Sequence, residues 1–234
     1  MRTILTCFFA LAMASAFAQT GFENLTDVRI PGAGTGGTAT GSAGLYPISF
    51  TVSGMGTITS DINITLSFGT AASTVDVGVG EEHSFCGDLD MMLVAPSGTN
   101  LVFLSDVGSL GDMNGAYTFD DEAASPILPD GAGQIVGGNI VNGSYRFSAT
   151  GAGDPFLSPA PSPVFENILF SVFDGENPNG IWELYIMDDA PGDAGWLMSS
   201  TLTVTTAAVP EPATLSALAL GGLLLARRKQ RTVR

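Results

Sequence analysis

Basic side chains are nearly missing from the middle of this chain. Of its 8 Lys and Arg residues, Arg2 sits at the start, five follow Ala226, and only Arg29 and Arg146 lie between. Against them stand 23 acidic residues, of which only Glu211 belongs to the C-terminal stretch. The body therefore carries about twenty net negative charges, a surface that favours solubility and divalent cations. Such a surface repels phosphates and excludes nucleic acid as a partner.

Histidine and cysteine are as scarce. The chain has one His, His83, and 2 Cys, Cys7 and Cys86. One imidazole and one thiol fall short of the N and S ligands of a zinc site, and any His-based triad would have to use His83. No G-x-S-x-G elbow occurs; GSAG at 41–44 lies in the small-residue stretch GAGTGGTATGSAG. There is no internal repeat of the solenoid or propeller kind.

The two ends hold the apolar runs that do occur. MRTILTCFFALAMASAFAQT has Arg2 as a positive n-region, Ile4 to Met13 as an apolar h-region, and Ala16-Phe17-Ala18 as an A-x-A cleavage site. This is a secretory signal peptide over residues 1–18, exported by the Sec machinery and cut after Ala18. Cleavage removes Cys7, so no intramolecular disulfide forms and the fold must hold by its core. At the other end, VPEPATLSALALGGLLLARRKQR places Pro210 and Pro212 before an apolar run, Ala213 to Ala226, and then Arg227, Arg228, Lys229 and Arg231. As a short apolar helix its fourteen residues reach about 21 Å, less than the roughly 30 Å hydrocarbon core. The basic cluster would stay on the cytoplasmic side. Over 207–234 the arrangement resembles the PEP-CTERM sorting signal of Gram-negative bacteria, with Val209-Pro210-Glu211-Pro212 as its motif. That resemblance implies transient holding in the inner membrane and cutting near the motif by an exosortase. The protein then passes to the cell surface or exopolysaccharide matrix and keeps no span.

Between the ends, residues 19–45 read as a Gly/Thr-rich flexible leader, and strand signals dominate afterwards. Ile62, Ile64, Leu66 and Phe68 alternate with Asn63, Thr65 and Ser67, the period of a half-buried strand. Short runs follow at 75–79, 89–95, 101–106, 116–121, 144–149, 167–173, 181–188 and 199–206, separated by turn clusters such as PSGTN and NPNG. The pattern predicts an all-β body over 46–206, a single β-sandwich or jelly roll.

The stretch HSFCGDLD gathers His83, Cys86, Asp88 and Asp90. Glu81, Glu82, Asp88 and Asp90 surround Cys86 with negative charge, which raises a thiol pKa, so a buried inert cysteine is expected. In a regular strand Asp88 and Asp90 would share one face, opposite Leu89. Calcium takes six to eight oxygens from such carboxylates, from carbonyls and from water. Two further acidic groups exist: Asp188, Asp189 and Asp193 in DDAPGD, and Asp120, Asp121 and Glu122. The plainer alternative is that these acids make Asx-turns and solvated loop ends. Trp182 lies in an alternating strand and reads as core, whereas Trp196 in GDAGWLM is placed for ligand contact. The proline-rich stretch 154–165 reads as a covering loop or a partner-binding segment.

Three stretches together resemble the P domain, or P/Homo B domain, that follows the catalytic domain of proprotein convertases. HSFCGDLDMMLVAPSGTNLVFLSD resembles the first signature, with His83, Asp88-Leu89 and Ala95-Pro96-Ser97-Gly98-Thr99; YTFDDEA (117–123) resembles the second. The third is Asn179-Gly180, Trp182, Asp189, Gly192-Asp193 and Gly195, although Ser199-Ser200-Thr201 stands where the family often has tryptophan after serine. The resemblance implies a galactose-binding-like jelly roll without catalysis, the chemistry of convertases residing in a separate subtilisin-like domain. It gives His83 a structural position. It also implies calcium, with Asp88, Asp189 and Asp193 foremost and Asp90, Asp120 and Asp121 behind them. The expected function is an exported, non-catalytic structural or binding module. The alternatives are an accessory to a separate surface serine protease and a carbohydrate-binding module in the exopolysaccharide.

Overall fold

Turn residues punctuate the chain so often that only short strands can form between them. The computed structural model describes residues 17–32, 40–69, 83–150, 156–163 and 169–207. The signal peptide up to residue 16, the run at 75–79 and the apolar tail lie outside the described residues. In chain order the strands are β1 (Phe17–Asn24), β2 (Val28–Ile30), β3 (Gly41–Ser42), β4 (Ile48–Val52), β5 (Thr59–Phe68), β6 (Leu89–Val94) and β7 (Asn100–Ser105). They continue with β8 (Gly115–Phe119), β9 (Ile135–Val136), β10 (Asn139–Ile140), β11 (Gly143–Tyr145), β12 (Ser148–Ala149), β13 (Gly180–Asp188) and β14 (Gly195–Ala207).

Two sheets form the sandwich. One runs β1-β14-β5-β8-β11, with β2 also on β14; the other runs β12-β7-β6-β13-β3, with β4 also on β13. Alternation in β5 buries Ile62, Ile64, Leu66 and Phe68, as expected. They meet Leu89, Met91, Leu93, Phe103, Trp182, Leu184 and Ile186 of the opposing sheet in one core. Burying each such side chain contributes roughly 1.5–3 kcal/mol. Trp182 is core, as its alternation predicts: its indole donates to the Pro178 carbonyl at 2.8 Å and meets Phe173 edge-on at 5.1 Å.

The other face of the second sheet is also covered. Met92, Val94, Val102 and Tyr185 form a smaller cluster under Tyr46, Phe156 and Ala160. The described part of the proline-rich stretch, 156–163, is thus a covering loop, and β6 is buried on both faces.

Three sequence expectations need correction. The described parts of the 19–45 leader, residues 19–32 and 40–45, are built into the sheets and not flexible: β1 pairs with β14 along its whole length, and β2 pairs with Gly195–Leu197. β1 has almost no apolar face and is held by main-chain ladder bonds, so hydrophobic periodicity misses it. The run 144–149 is not one strand, because β11 joins β8 in one sheet and β12 joins β7 in the other. Finally, the run 167–173 contains a 3-10 turn, Phe170–Phe173, over its described part. The Asp121 carboxylate accepts from the Phe170 and Ser171 amides at 2.9 Å each and so caps that turn.

Candidate functional site at the acidic end of the sandwich

The strands β6 and β13 run antiparallel, so the start of one and the end of the other meet at one end of the sandwich. There the chain before β6 does not extend the strand. Residues Cys86–Asp88 form a 3-10 turn entered through Phe85 at φ 55°. Backbone bonds fasten this turn to the loop after β7: Cys86 N to Gly111 O at 2.7 Å and Gly87 N to Ser109 O at 3.1 Å. Gly108 permits the approach, since a Cβ there would lie 2.9 Å from the Cys86 Cβ and its φ is +79°. Asp106 and Ser109 in the same loop also have positive φ, 53° and 47°. Three non-glycine residues in the left-handed region thus frame one end of the molecule. Such strain concentrates at binding and catalytic sites.

His83 and Asp188 form the centre. His83 is fixed by a two-bond bridge to Met113, at 3.1 and 2.7 Å, and both side chains are wholly buried. The imidazole Nδ1 lies 2.8 Å from the Ser84 carbonyl oxygen. A carbonyl can only accept, so the proton sits on Nδ1. The other nitrogen, Nε2, faces Asp188 Oδ2 at 3.4 Å, within ion-pair reach but without hydrogen-bond geometry. Nδ1 is thus engaged by a backbone carbonyl, and Nε2 is turned to a buried carboxylate. A triad base needs one nitrogen turned to a nucleophile, and His83 has none.

Around this pair the acids lack donors. Asp188 Oδ1 accepts from the Ala190 amide at 3.2 Å, but Oδ2 has no hydrogen-bond partner. Both carboxylate oxygens of Asp193 are buried, and no other residue donates to them. Desolvation, followed by the charges of Asp188 and Asp88, pushes Asp193 up to about 6, while His83 opposes the rise. Asp88 is raised by burial and by Asp188. These carboxyls hold their charge reluctantly, and a cation or a proton would relieve them.

The other acids named from sequence separate. Asp90 pairs in register with Met187 and shares the outer face of β6 with Met92, whereas Asp88 belongs to the turn. The two do not share a face, because the strand begins after Asp88. Asp189 is exposed, and its amide donates to the Asp88 carbonyl at 3.0 Å. Asp90, Asp188, Asp189, Met187 and Leu157 line a cavity of about 300 Å³ with Thr40 and Gly41 of the β3 segment. Asp120 accepts from the Glu122 amide at 2.7 Å in an Asx-turn, and Asp121 caps the 3-10 turn; this group is thus partly structural. Trp196 is half-buried within β14 opposite Arg29, not in a loop. Cys86 is wholly buried, its thiol pushed up to about 12 by desolvation and by Asp88, which makes it inert as expected. Among the described residues no three His, Cys, Asp or Glu side chains are gathered closely enough to hold a metal ion. The sequence does not single out Asp188; its position as the last residue of β13, next to Asp189, gives no signal of which of the two turns inward.

At the opposite end the signature residues are fully engaged. Ser97 and Thr99 donate to the two Glu176 oxygens at 2.7 and 2.6 Å. The Asn179 side chain brackets Met55, accepting from its amide at 3.0 Å and donating to its carbonyl at 3.1 Å. Gly180 has φ +144°, and a Cβ there would meet Pro96 at 2.7 Å.

Residues 208–231 match the PEP-CTERM protein-sorting motif, which makes the tail a sorting signal for export and exosortase processing. The match covers the tail alone. No curated protein matches the chain. Among solved structures, the crystal structure of a complex of an Aeromonas sobria serine protease and the chaperone contains a similar chain. The likeness covers 83% of this chain and 28% of that one, at 16% identity and a TM-score of 0.36. So distant a likeness carries no argument about function.

Proposed function

We propose that the protein is an exported, non-catalytic β-sandwich module of P/Homo B-like type, released by its sorting tail to the cell surface or extracellular matrix as a structural or binding element. The observation that carries the non-catalytic reading is the complete burial of His83, with Nδ1 against the Ser84 carbonyl and Nε2 turned to the Asp188 carboxylate rather than to a nucleophile. No other histidine exists in the chain to act as base. The sorting motif supports the destination. A purified protein starting at Gln19 and ending before the tail should hydrolyse no peptide, ester or glycoside. Turnover that disappears in His83→Gln would overturn this reading.

Calcium belongs to the same proposal. The buried carboxylate oxygens of Asp188 and Asp193 that lack donors suit a hard cation, and Asp88 is electrostatically coupled to both. The three side chains are not gathered closely enough to hold an ion as they stand, so calcium would have to draw them together, with backbone and water oxygens completing its shell. A bound calcium would supply charge neutralisation that fixes the loop after β13 to the turn before β6. Protease-accessory action rests on the motif resemblance alone. Carbohydrate binding would need Trp196 to present a ring that is half-buried in β14.

A further inference from the structure

The chain holds three Asn-Gly pairs, Asn114-Gly115, Asn142-Gly143 and Asn179-Gly180. In such a pair the glycine has no Cβ to shield its amide nitrogen, which can attack the asparagine side chain. The attack needs a free side chain and an asparagine carbonyl free to turn, so the fold decides which pair reacts. Two are held. The Asn179 side chain accepts from the Met55 amide at 3.0 Å and donates to the Met55 carbonyl at 3.1 Å and to Asn177 Oδ1 at 2.8 Å. Gly180 behind it is packed against Pro96 and paired with Val52 of β4. Asn114 is exposed, but a buried phenol clasps its main chain. Its amide donates to the Tyr117 hydroxyl at 2.9 Å, and that hydroxyl reaches back to its carbonyl at 3.2 Å. Turning the Asn114 carbonyl would break that contact, and Gly115 is itself paired with Phe68 of β5.

Asn142 escapes these restraints. Residues 141–144 are exposed, and the Asn142 side chain makes no hydrogen bond to a described residue. It rests instead over Gly115, where a Cβ would meet its Nδ2 at 2.3 Å. Gly143 opens β11, a three-residue strand that ends its sheet among the described residues and is paired there with β8 alone. We propose that Asn142 is a self-modification site, at which the folded protein loses ammonia in preference to Asn114 and Asn179. The Gly143 amide nitrogen attacks Asn142 Cγ, and the new N–C bond closes a succinimide ring. The Cγ–Nδ2 bond breaks, and ammonia leaves with the amide proton. Water then opens the ring at either carbonyl, giving an aspartyl or an isoaspartyl link. Either product adds a negative charge beside Gly115. The isoaspartyl link also adds a backbone carbon between Val141, whose carbonyl accepts from the Tyr145 hydroxyl, and Gly143, which is in register with Tyr117. It therefore loosens β11 and uncovers the outer edge of β8.

The test is incubation of the exported protein, isolated promptly from its native host, in mildly alkaline buffer with and without urea. Peptide mass mapping follows all three Asn-Gly pairs, and electron-transfer fragmentation separates aspartyl from isoaspartyl products. In the folded protein position 142 should convert at least about tenfold faster than 114 or 179, because those two react only through local opening. In urea that protection is gone, and the three rates should fall within about threefold of one another. Conversion at 114 or 179 as fast as at 142 in the folded protein overturns the proposal. So does a lead for position 142 that is as large in urea as in the folded protein, which would place the preference in the local sequence and not in the fold.

Discussion

The two ends of the sandwich are built from the same pair of strands and in opposite ways. At the end of Ser97, Thr99, Glu176 and Asn179, short side-chain bonds tie the turn after β6 and the loop after β4 to the segment entering β13. At the end of His83, Asp88, Asp188 and Asp193, three carboxylate oxygens and one imidazole nitrogen are buried without hydrogen-bond partners. Three strained non-glycine residues frame that second end. A satisfied end closes a fold; an unsatisfied one holds capacity for a ligand. The contrast separates residues of one sequence signature, HSFCGDLDMMLVAPSGT, into a half whose buried polar atoms lack partners and a half whose polar side chains are satisfied.

The largest effect on this contrast should come from the buried pair. Asp188→Ala leaves the His83 imidazole without its counter-group and should destabilise the protein by about 3–5 kcal/mol, read from urea melts. If calcium is the ligand, the same variant should also lose its response to the ion. At the satisfied end, Asn179→Ala removes the bracket on Met55 and should cost about 1–3 kcal/mol, with any calcium response unchanged. Asp121→Ala removes the cap of the 3-10 turn and should cost about 1 kcal/mol. It lies in neither end and serves as the neutral comparison. Smallest is the pH effect at Asp193. Its pKa is raised in the fold, so its contribution is fully present below its unfolded pKa and is lost as pH rises through about 6. In chelator the wild type should melt higher at pH 5 than at pH 7.5, and Asp193→Asn should flatten that difference.

Sequence patterning revealed the fold where burial follows a period. β5 alternates, and Trp182, in the alternating strand β13, joins the same core from the opposing sheet. It failed where main-chain bonding holds the structure. β1 is mostly exposed and sends only Phe22 toward the core, too little for a period to show, and the 3-10 turn at Phe170 depends on a carboxylate 49 residues away. The site was legible by composition and not by geometry. HSFCGDLD and DDAPGD do meet at one end, but the 3-10 turn breaks the alternation that would place Asp88 beside Asp90. Whether Asp188 or Asp189 faces inward is set by the register of β13 against β6, which places Asp188 opposite the core residue Leu89.

The most direct test of the acidic end as a calcium-bearing end is a thermal melt at pH 7.5 of the protein from Gln19 to the start of the tail, in calcium and in chelator. The account predicts a rise in Tm of several degrees with millimolar calcium, abolished in Asp193→Asn. An identical Tm in calcium and in chelator would contradict it.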